Sequence, residues 1–351
     1  MQASSRANDT LAPRMQRRSG FTIAELLVSL GIVSLLLALA LPSISRAREA
    51  ARRTECSNHL HQIGAAAHKH CATTCLFPFV ASSPARAMGR EDARFQLAAA
   101  PHVALMASLD PTVFRRIDVT DRWLTELSHP LTSPSAANTA VLQTNVPVLR
   151  CPSDRDQVGA NNYRGNAGIG PYPFTKRSGC RDERNGQGAF HYEKELSPSD
   201  FTDGLSNTML FAEKVIGDFD ESRFSPFRDR FTWSSDVFRC SPDDAVAACG
   251  SFVPEGNAHC AYGGWTWLLG GLNSTLYNHL LTPNSPVPDC SKGDTHFAGG
   301  GAGVYTARSL HPGGVNGVLA DGAVRFLAES IDGAAWRALG TRNGAEPPLG
   351  L

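Results

Sequence analysis

Residues 17–42 read RRSGFTIAELLVSLGIVSLLLALALP, and from Phe21 to Leu41 the only polar side chains are Thr22, Glu25, Ser29 and Ser34. Such a run is long enough to cross the ~30 Å hydrocarbon core of a bilayer as one helix. Ahead of it, Arg6, Arg14, Arg17 and Arg18 stand against Asp9 alone, so residues 1–20 read as an unfolded basic leader. Pro42 would break a soluble helix. Helical spacing nevertheless resumes over residues 43–70, where Ile44, Ala47, Ala51, Cys56, Leu60, Ile63 and Ala67 recur every three to five positions. The spacing predicts a kinked helix that continues to about His70, roughly 70 Å long at 1.5 Å per residue. Its first half is apolar all round and its second half has one apolar stripe, the pattern of a rod that is membrane-embedded and then docked on a globular head.

From Leu76 onward the pattern changes to short apolar runs punctuated by Gly, Pro, Asn and Asp, which reads as mostly strand and loop. Strands are expected at Val146–Arg150, Thr208–Glu213, Phe231–Ser234, Gly264–Leu269, Val315–Ala320 and Ala323–Leu327. Asp321-Gly322 between the last two predicts a two-residue hairpin link with positive φ at both positions. A short helix is expected at Gly333–Leu339, with Asp332 as N-cap and Gly340 as the stop. The turn-rich segments Arg155–Gln187 and Gly217–Pro288 read as long excursions, and GGGAG at 299–303 as a hinge. The fold class that follows is α+β: a long N-terminal helix packed on a mostly antiparallel β head spanning residues 71–351.

Charge narrows the function. The 33 Lys and Arg balance the 33 Asp and Glu among 351 residues, which excludes the dense positive field a nucleic-acid binder needs. Nine cysteines without a Cys-x-x-Cys pair fit an oxidising compartment, and the odd count leaves one thiol unpaired or shared. No nucleophile elbow, Walker or zinc-protease motif occurs, so no enzymatic activity and no cofactor is expected.

Glu25 is the unusual residue. A carboxylate near the end of a membrane helix costs a few kcal/mol unless neutralised, and is a functional hypothesis by default. A cut after Gly20 would supply the cation, because the new α-amine of Phe21 would lie within a turn of Glu25 on the same or a neighbouring helix. An ordinary signal peptide cut after Ala38-Leu39-Ala40 competes with this reading. Against it stand the length of the apolar run, Glu25 within it and Pro42 just past the cut.

With the basic leader, Gly20 before the scissile bond, Phe21 as first mature residue, Glu25 as the fifth and Pro42 as the twenty-second, the segment resembles the cleavage and methylation segment of type IV prepilins and type II secretion pseudopilins. The resemblance implies cleavage by a prepilin peptidase, methylation of Phe21, and a single-pass subunit in the bacterial inner membrane with its head in the periplasm or extracytoplasmic space. The remainder resembles a large pseudopilin-like subgroup of unknown function named for a C-terminal His-x9-Asp-Gly element, here His311 to Asp321-Gly322 within residues 309–332. Three further blocks carry that likeness: residues 47–68, CPSD at 151–154 followed by NYRGNAG at 162–168, and DFTDGLSNTMLFAE at 200–213. These blocks suggest a Cys56–Cys151 bridge from helix to head, closing a long loop worth ~4 kcal/mol, although connectivity is not readable from spacing.

Several constellations have a plainer reading beside the chemical one. His61, His68, Cys71 and Cys75 would share a helix face and could hold zinc, but a Cys71–Cys75 bridge at the helix end is favoured and no metal is expected. Asp200, Asp203, Ser206 and Asn207 could offer oxygens to calcium, yet a short helix capped by Ser197 or Ser199 and ended by Gly204 accounts for them. His311 and Asp321 are expected to lie roughly 25 Å apart, at ~3.3 Å per strand residue, so both have structural roles. Glu49, at helical spacing from Arg52 and Arg53, reads as part of a solvated face. The expected function is assembly with other pilin-like subunits, with Glu25 meeting the Phe21 amine. A membrane-tethered extracytoplasmic binding or surface protein is the alternative.

Overall fold

The computed structural model describes residues 20–78, 80, 99–121, 134–171, 184, 186–191, 195–233, 241–251, 259–292 and 302–346. The leader up to residue 19, Cys180, Cys240 and most of the 299–303 glycine run lie outside the described residues. The chain divides into two compact units between Arg48 and Glu49.

One helix, α1 (Ile23–Thr74), contains the boundary and has Pro42 inside it. In the first unit every residue from Gly20 to Leu39 is exposed, and the hydroxyls of Ser29 and Ser34 donate to carbonyls three residues back at 2.8 and 2.9 Å. Those bonds hide the few polar groups of a segment whose outer surface is hydrocarbon.

In the second unit α1 buries Cys56, Leu60, Ile63, Gly64, Ala66 and Ala67. Burial begins at Cys56, so Ile44, Ala47 and Ala51 of the expected stripe are exposed. The helix ends at Thr74, past the expected His70. Cys75, with φ of 62°, closes it by donating its N–H to the Cys71 carbonyl at 2.7 Å, the bond of a left-handed C-terminal cap.

Among the described residues nine strands follow: β1 (Tyr163–Asn166), β2 (Met209–Glu213), β3 (Arg230–Trp233), β4 (His259–Cys260), β5 (Leu276–Tyr277), β6 (Asp289–Lys292), β7 (Gly303–Val304), β8 (Gly314–Leu319) and β9 (Val324–Ala328). They form a five-stranded sheet in the order β5-β1-β2-β8-β9 and a four-stranded sheet in the order β4-β3-β6-β7. Pairing is antiparallel except for β1 with β5 and β3 with β6. The architecture is α+β, with a long N-terminal helix and a head of mixed, mostly antiparallel sheets.

Gly64 lets α1 lie close on this sheet. A Cβ there would come within 2.8 Å of Val318 Cγ2 on β8, with the Gly322 backbone behind it at 3.6 Å. Gly64→Ala gains up to about 1 kcal/mol of helix propensity but overpacks the contact by about 1–3 kcal/mol. A net loss of stability in urea unfolding is therefore expected, and an increase would show that the helix stands further off.

Several expectations change. Val146–Arg150 is a 3₁₀ turn at Pro147–Leu149, because Pro147 has no N–H for a ladder. Gly264–Leu269 is irregular: Gly264 adopts φ of 71°, and only Leu269 makes a bridge, to Ala99. The Arg155–Gln187 excursion contains β1, an interior strand, and Gly217–Pro288 contains β4 and β5 besides β3, which lies at the strand expected from Phe231; Gly303 of the supposed hinge lies in β7. The β8–β9 turn has three residues, 320–322, with Gly322 N–H donating to the Leu319 carbonyl at 2.9 Å and Leu319 N–H to the Ala323 carbonyl at 2.9 Å. Only Gly322, at 89°, has positive φ, as in a type I turn followed by a left-handed residue. Finally, the segment after Leu76 includes helices α2 (Pro101–Leu109), α3 (Pro111–Phe114), α4 (Ala136–Leu142) and α5 (Pro242–Gly250). These are too short to show periodicity, and Asp110 and Ser135 cap the second and third.

The last helix, α6 (Gly333–Ala338), is capped by Asp332, which accepts from Ala334 and Ala335 at 2.9 and 3.0 Å. Gly340 follows it because a Cβ there would meet His279 at 2.5 Å. His279 is fully buried, stacked on Trp336 with centroids 4.0 Å apart. Its Nδ1 faces the Trp336 carbonyl at 2.8 Å, and its Nε2 faces the Tyr277 hydroxyl at 2.8 Å. The neutral ring satisfies both, donating from Nδ1 and accepting at Nε2. Burial pulls its pKa down to about 3.

Stability from His279 is therefore complete above the unfolded value near 6.5 and is lost as pH falls below it, at about 1.4 kcal/mol per pH unit. Asp229, pushed up to about 7 by burial, acts in the opposite sense over much of that window. His279→Gln isolates the term: its ΔG-versus-pH slope below pH 6.5 is expected to be shallower than wild type by that amount, and parallel curves would refute it.

Candidate functional site

Helix α1 begins with a reciprocal cap. Thr22 Oγ1 accepts from the Glu25 N–H at 3.3 Å, and Glu25 Oε2 accepts from the Thr22 N–H at 2.9 Å and its hydroxyl at 2.8 Å. This Thr-x-x-Glu capping box holds Glu25 at the positive end of the helix dipole, directly after exposed Gly20 and Phe21. The spacing of Thr22 and Glu25 is its signal in the sequence, which the reading of Glu25 as an amine partner passes over.

The second unit has a buried site around His311. Ser309 organises the turn into β8, its Oγ accepting from the His311 N–H at 3.1 Å and donating to the Gly314 carbonyl at 2.7 Å. The ring is thereby placed between two carboxylates. Nδ1 lies 2.6 Å from Glu49 Oε1 on α1, and Nε2 lies 3.3 Å from Glu213 Oε1 at the end of β2. Burial lowers the affinity of the imidazole for a proton, but hydrogen bonds and charge from Glu213 and Glu49 outweigh it and leave the pKa raised. Burial likewise disfavours the Glu49 carboxylate, while His311, Arg52 and Ser153 more than offset this and lower its pKa. The arrangement is a carboxylate–histidine–carboxylate relay that favours the protonated ring.

Both carboxylates are held by further bonds. Arg52 pairs with Glu49, and Ser153 Oγ donates to its Oε1 at 3.1 Å. Glu213 accepts from the Asn316 N–H at 2.7 Å and from Asn316 Nδ2 at 2.9 Å. Against the ring lies a disulfide: Cys56 and Cys151 are joined, with Cα atoms 5.3 Å apart, and Cys151 Sγ is 3.4 Å from His311 Nε2. The CPSD loop is fastened around it. Asn162 accepts from the Cys151 N–H at 3.0 Å, and Asp154 takes Asn162 Nδ2 at 2.7 Å and Arg228 at 2.7 Å.

Cys71 and Cys75 are free thiols, which corrects the bridge expected between them. Cys75 stands past the end of α1, in the left-handed conformation that caps it, and a disulfide forms only where the two Cβ atoms approach to ~3.8 Å. A second disulfide instead joins Cys249 of α5 to Cys290 of β6. His68 packs edge-on against Phe77, centroids 6.1 Å apart. Asp321 caps its own turn, accepting from Ala323 at 2.9 Å, while His311 lies in the relay. Asp203 accepts from the Gly344 and Ala345 N–H groups beyond α6 at 2.7 and 2.9 Å, and Ser197 and Asp200 form a capping box on the turn Pro198–Asp200.

Glu49 and Glu213 were not legible as site residues. Glu49 precedes Cys56 by seven positions and so shares its helix face, which is the signal available in the sequence. Glu213 ends a wholly buried strand. A second buried ionic group has no local signature either: Lys214 pairs with Asp289, and Arg308 reaches the same carboxylate at 3.3 Å. Burial pulls Lys214 down to about 7 despite that partner.

A model described as a protein of unknown function (DUF1559) matches residues 45–334. The chain belongs to that family. The prokaryotic N-terminal methylation motif matches residues 15–41, which marks this family member as a membrane-anchored, pilin-like protein processed by prepilin peptidase. No curated protein and no solved structure matches the chain. The family match covers Glu49, Cys56, Cys151, Glu213 and His311 together, and the motif covers Gly20, Phe21 and Glu25.

Proposed function

We propose that this family member is a structural, non-enzymatic subunit of a type II secretion or type IV pilus-like assembly, anchored in the inner membrane with its head outside the cytoplasm. The observation that carries the reading is the methylation motif over residues 15–41 on a helix whose apolar surface is wholly exposed from Gly20 to Leu39. Cleavage after Gly20 releases the Phe21 amine one turn from Glu25. The Glu25 carboxylate has lone pairs beyond those its capping box uses, so it can accept from the amine of an entering neighbour. Pairing between staggered helices removes both charges from the hydrocarbon, where an unpaired one costs a few kcal/mol.

Two measurements test this reading. Mass spectrometry of the purified protein is expected to find Phe21 methylated at the N-terminus; a start at Leu41 or an intact leader refutes processing. Glu25→Ala is expected to leave the protein in the membrane and abolish its recovery in sheared or cross-linked oligomers. Unchanged oligomer yield would indicate a tethered binding or surface protein instead.

A further inference from the structure

Four groups that bind soft and borderline metals converge at the relay. Cys56 Sγ, Cys151 Sγ, His311 Nε2 and one oxygen of Glu213 all lie within 4.8 Å of one another, and all four residues are buried. Tetrahedral Zn²⁺ with bonds of 2.0–2.3 Å places its ligand atoms about 3.3–3.8 Å apart. His311 Nε2 is already 3.4 Å from Cys151 Sγ and 3.3 Å from Glu213 Oε1.

The outer layer fits as well. A zinc-bound histidine usually donates its other N–H to a carboxylate, and His311 Nδ1 has Glu49 at 2.6 Å. The Glu213 carboxylate is oriented by two bonds from Asn316. A disulfide alone requires neither an imidazole at 3.4 Å nor an oriented carboxylate beyond it. Two thiolates, one imidazole and one carboxylate suit Zn²⁺ better than the hard cations, which take oxygen ligands.

We propose that Cys56, Cys151, His311 and Glu213 form a Zn²⁺ site that exists when the Cys56–Cys151 bond is reduced, so that metal and disulfide are alternative cross-links at one locus. A dithiol donates two electrons and two protons to the bond and leaves as its own disulfide. Zn²⁺ then displaces the two thiol protons and the His311 Nε2 proton to solvent. The metal replaces two things at once: the sulfur–sulfur bond, and the proton shared by His311 and Glu213. Burial of all four ligands means that the ion enters as the head folds. The site therefore belongs to chains folding before oxidation, and it keeps α1 joined to the CPSD loop, β2 and the turn into β8.

The test uses the full-length protein, reduced with excess dithiol in urea and refolded anaerobically in detergent with Co²⁺ as a spectroscopic probe. One equivalent of Co²⁺ with a thiolate charge-transfer band is expected, both in wild type and in the Cys71→Ser/Cys75→Ser variant. Glu49→Gln is expected to weaken binding about tenfold or more, as for other outer partners of a metal-bound histidine. His311→Ala is expected to abolish the band. A band that survives His311→Ala at wild-type affinity, or no band in the reduced protein, overturns the proposal. A second readout needs no variant: saturating Zn²⁺ should raise the urea midpoint of the reduced protein and leave that of the oxidised protein unchanged. An unmoved midpoint in the reduced form overturns it equally.

Discussion

Glu213→Ala is expected to lower the unfolding free energy of the head by about 3–5 kcal/mol, the usual cost of removing one partner from a buried ion pair. The side chains of Glu213 and His311 are 2% and 0% exposed, so water cannot replace what is lost. Three donors would be stranded at once: the His311 Nε2–H and the backbone and side-chain N–H groups of Asn316. Glu213→Gln keeps the shape and an acceptor for Asn316 but removes the charge facing the His311 ring, and should cost about 1–3 kcal/mol. Urea unfolding of the full-length protein in detergent, followed by the fluorescence of buried Trp267 and Trp336, measures both. A loss below about 1 kcal/mol for the alanine variant would place the pair with exposed ion pairs and dismiss the relay as a stabilising element.

Cys56→Ser should cost about 4–5 kcal/mol in the chain-entropy account, since the bond it removes spans a sequence separation of 95. The Cys249–Cys290 bond spans 41, and Cys249→Ser should cost about 4 kcal/mol on the same account. The near equality is informative, because loop-closure entropy rises only logarithmically with length. Any large excess for Cys56→Ser must come from the relay that touches Cys151. Thermal or urea unfolding of the two single variants under identical conditions checks this, and a Cys56→Ser loss under 1 kcal/mol would show that burial alone holds α1 in the head.

The relay also explains which parts of the site are hidden from a linear reading. Glu49 pairs with Arg52 at helical spacing, so it looks like an ordinary solvated helix face. Its other oxygen is committed to His311, 262 residues away. Strand β1 is hidden for a related reason. Asn162, Arg164 and Asn166 mimic loop composition, yet all are buried, and Asn166 spends its amide on the carbonyls of Met209 and Gly340 at 2.8 and 3.0 Å. Polar side chains that serve buried backbone groups invert the usual link between hydropathy and depth.

Local rules governed what the chain could declare unaided: the membrane-length helix with its acidic residue, the amphipathic continuation, the β8–β9 hairpin and the Asp332 cap. Each depends on the pattern along one contiguous segment, and hydrocarbon thickness, helix period and turn sterics all act within such a segment. The imidazole between Glu49 and Glu213, the partner of Cys249 and the ladder that makes β1 an interior strand were decided by tertiary structure alone. Ionic and sulfur contacts depend on distances across folded layers, and neighbours along the chain carry no information about those distances.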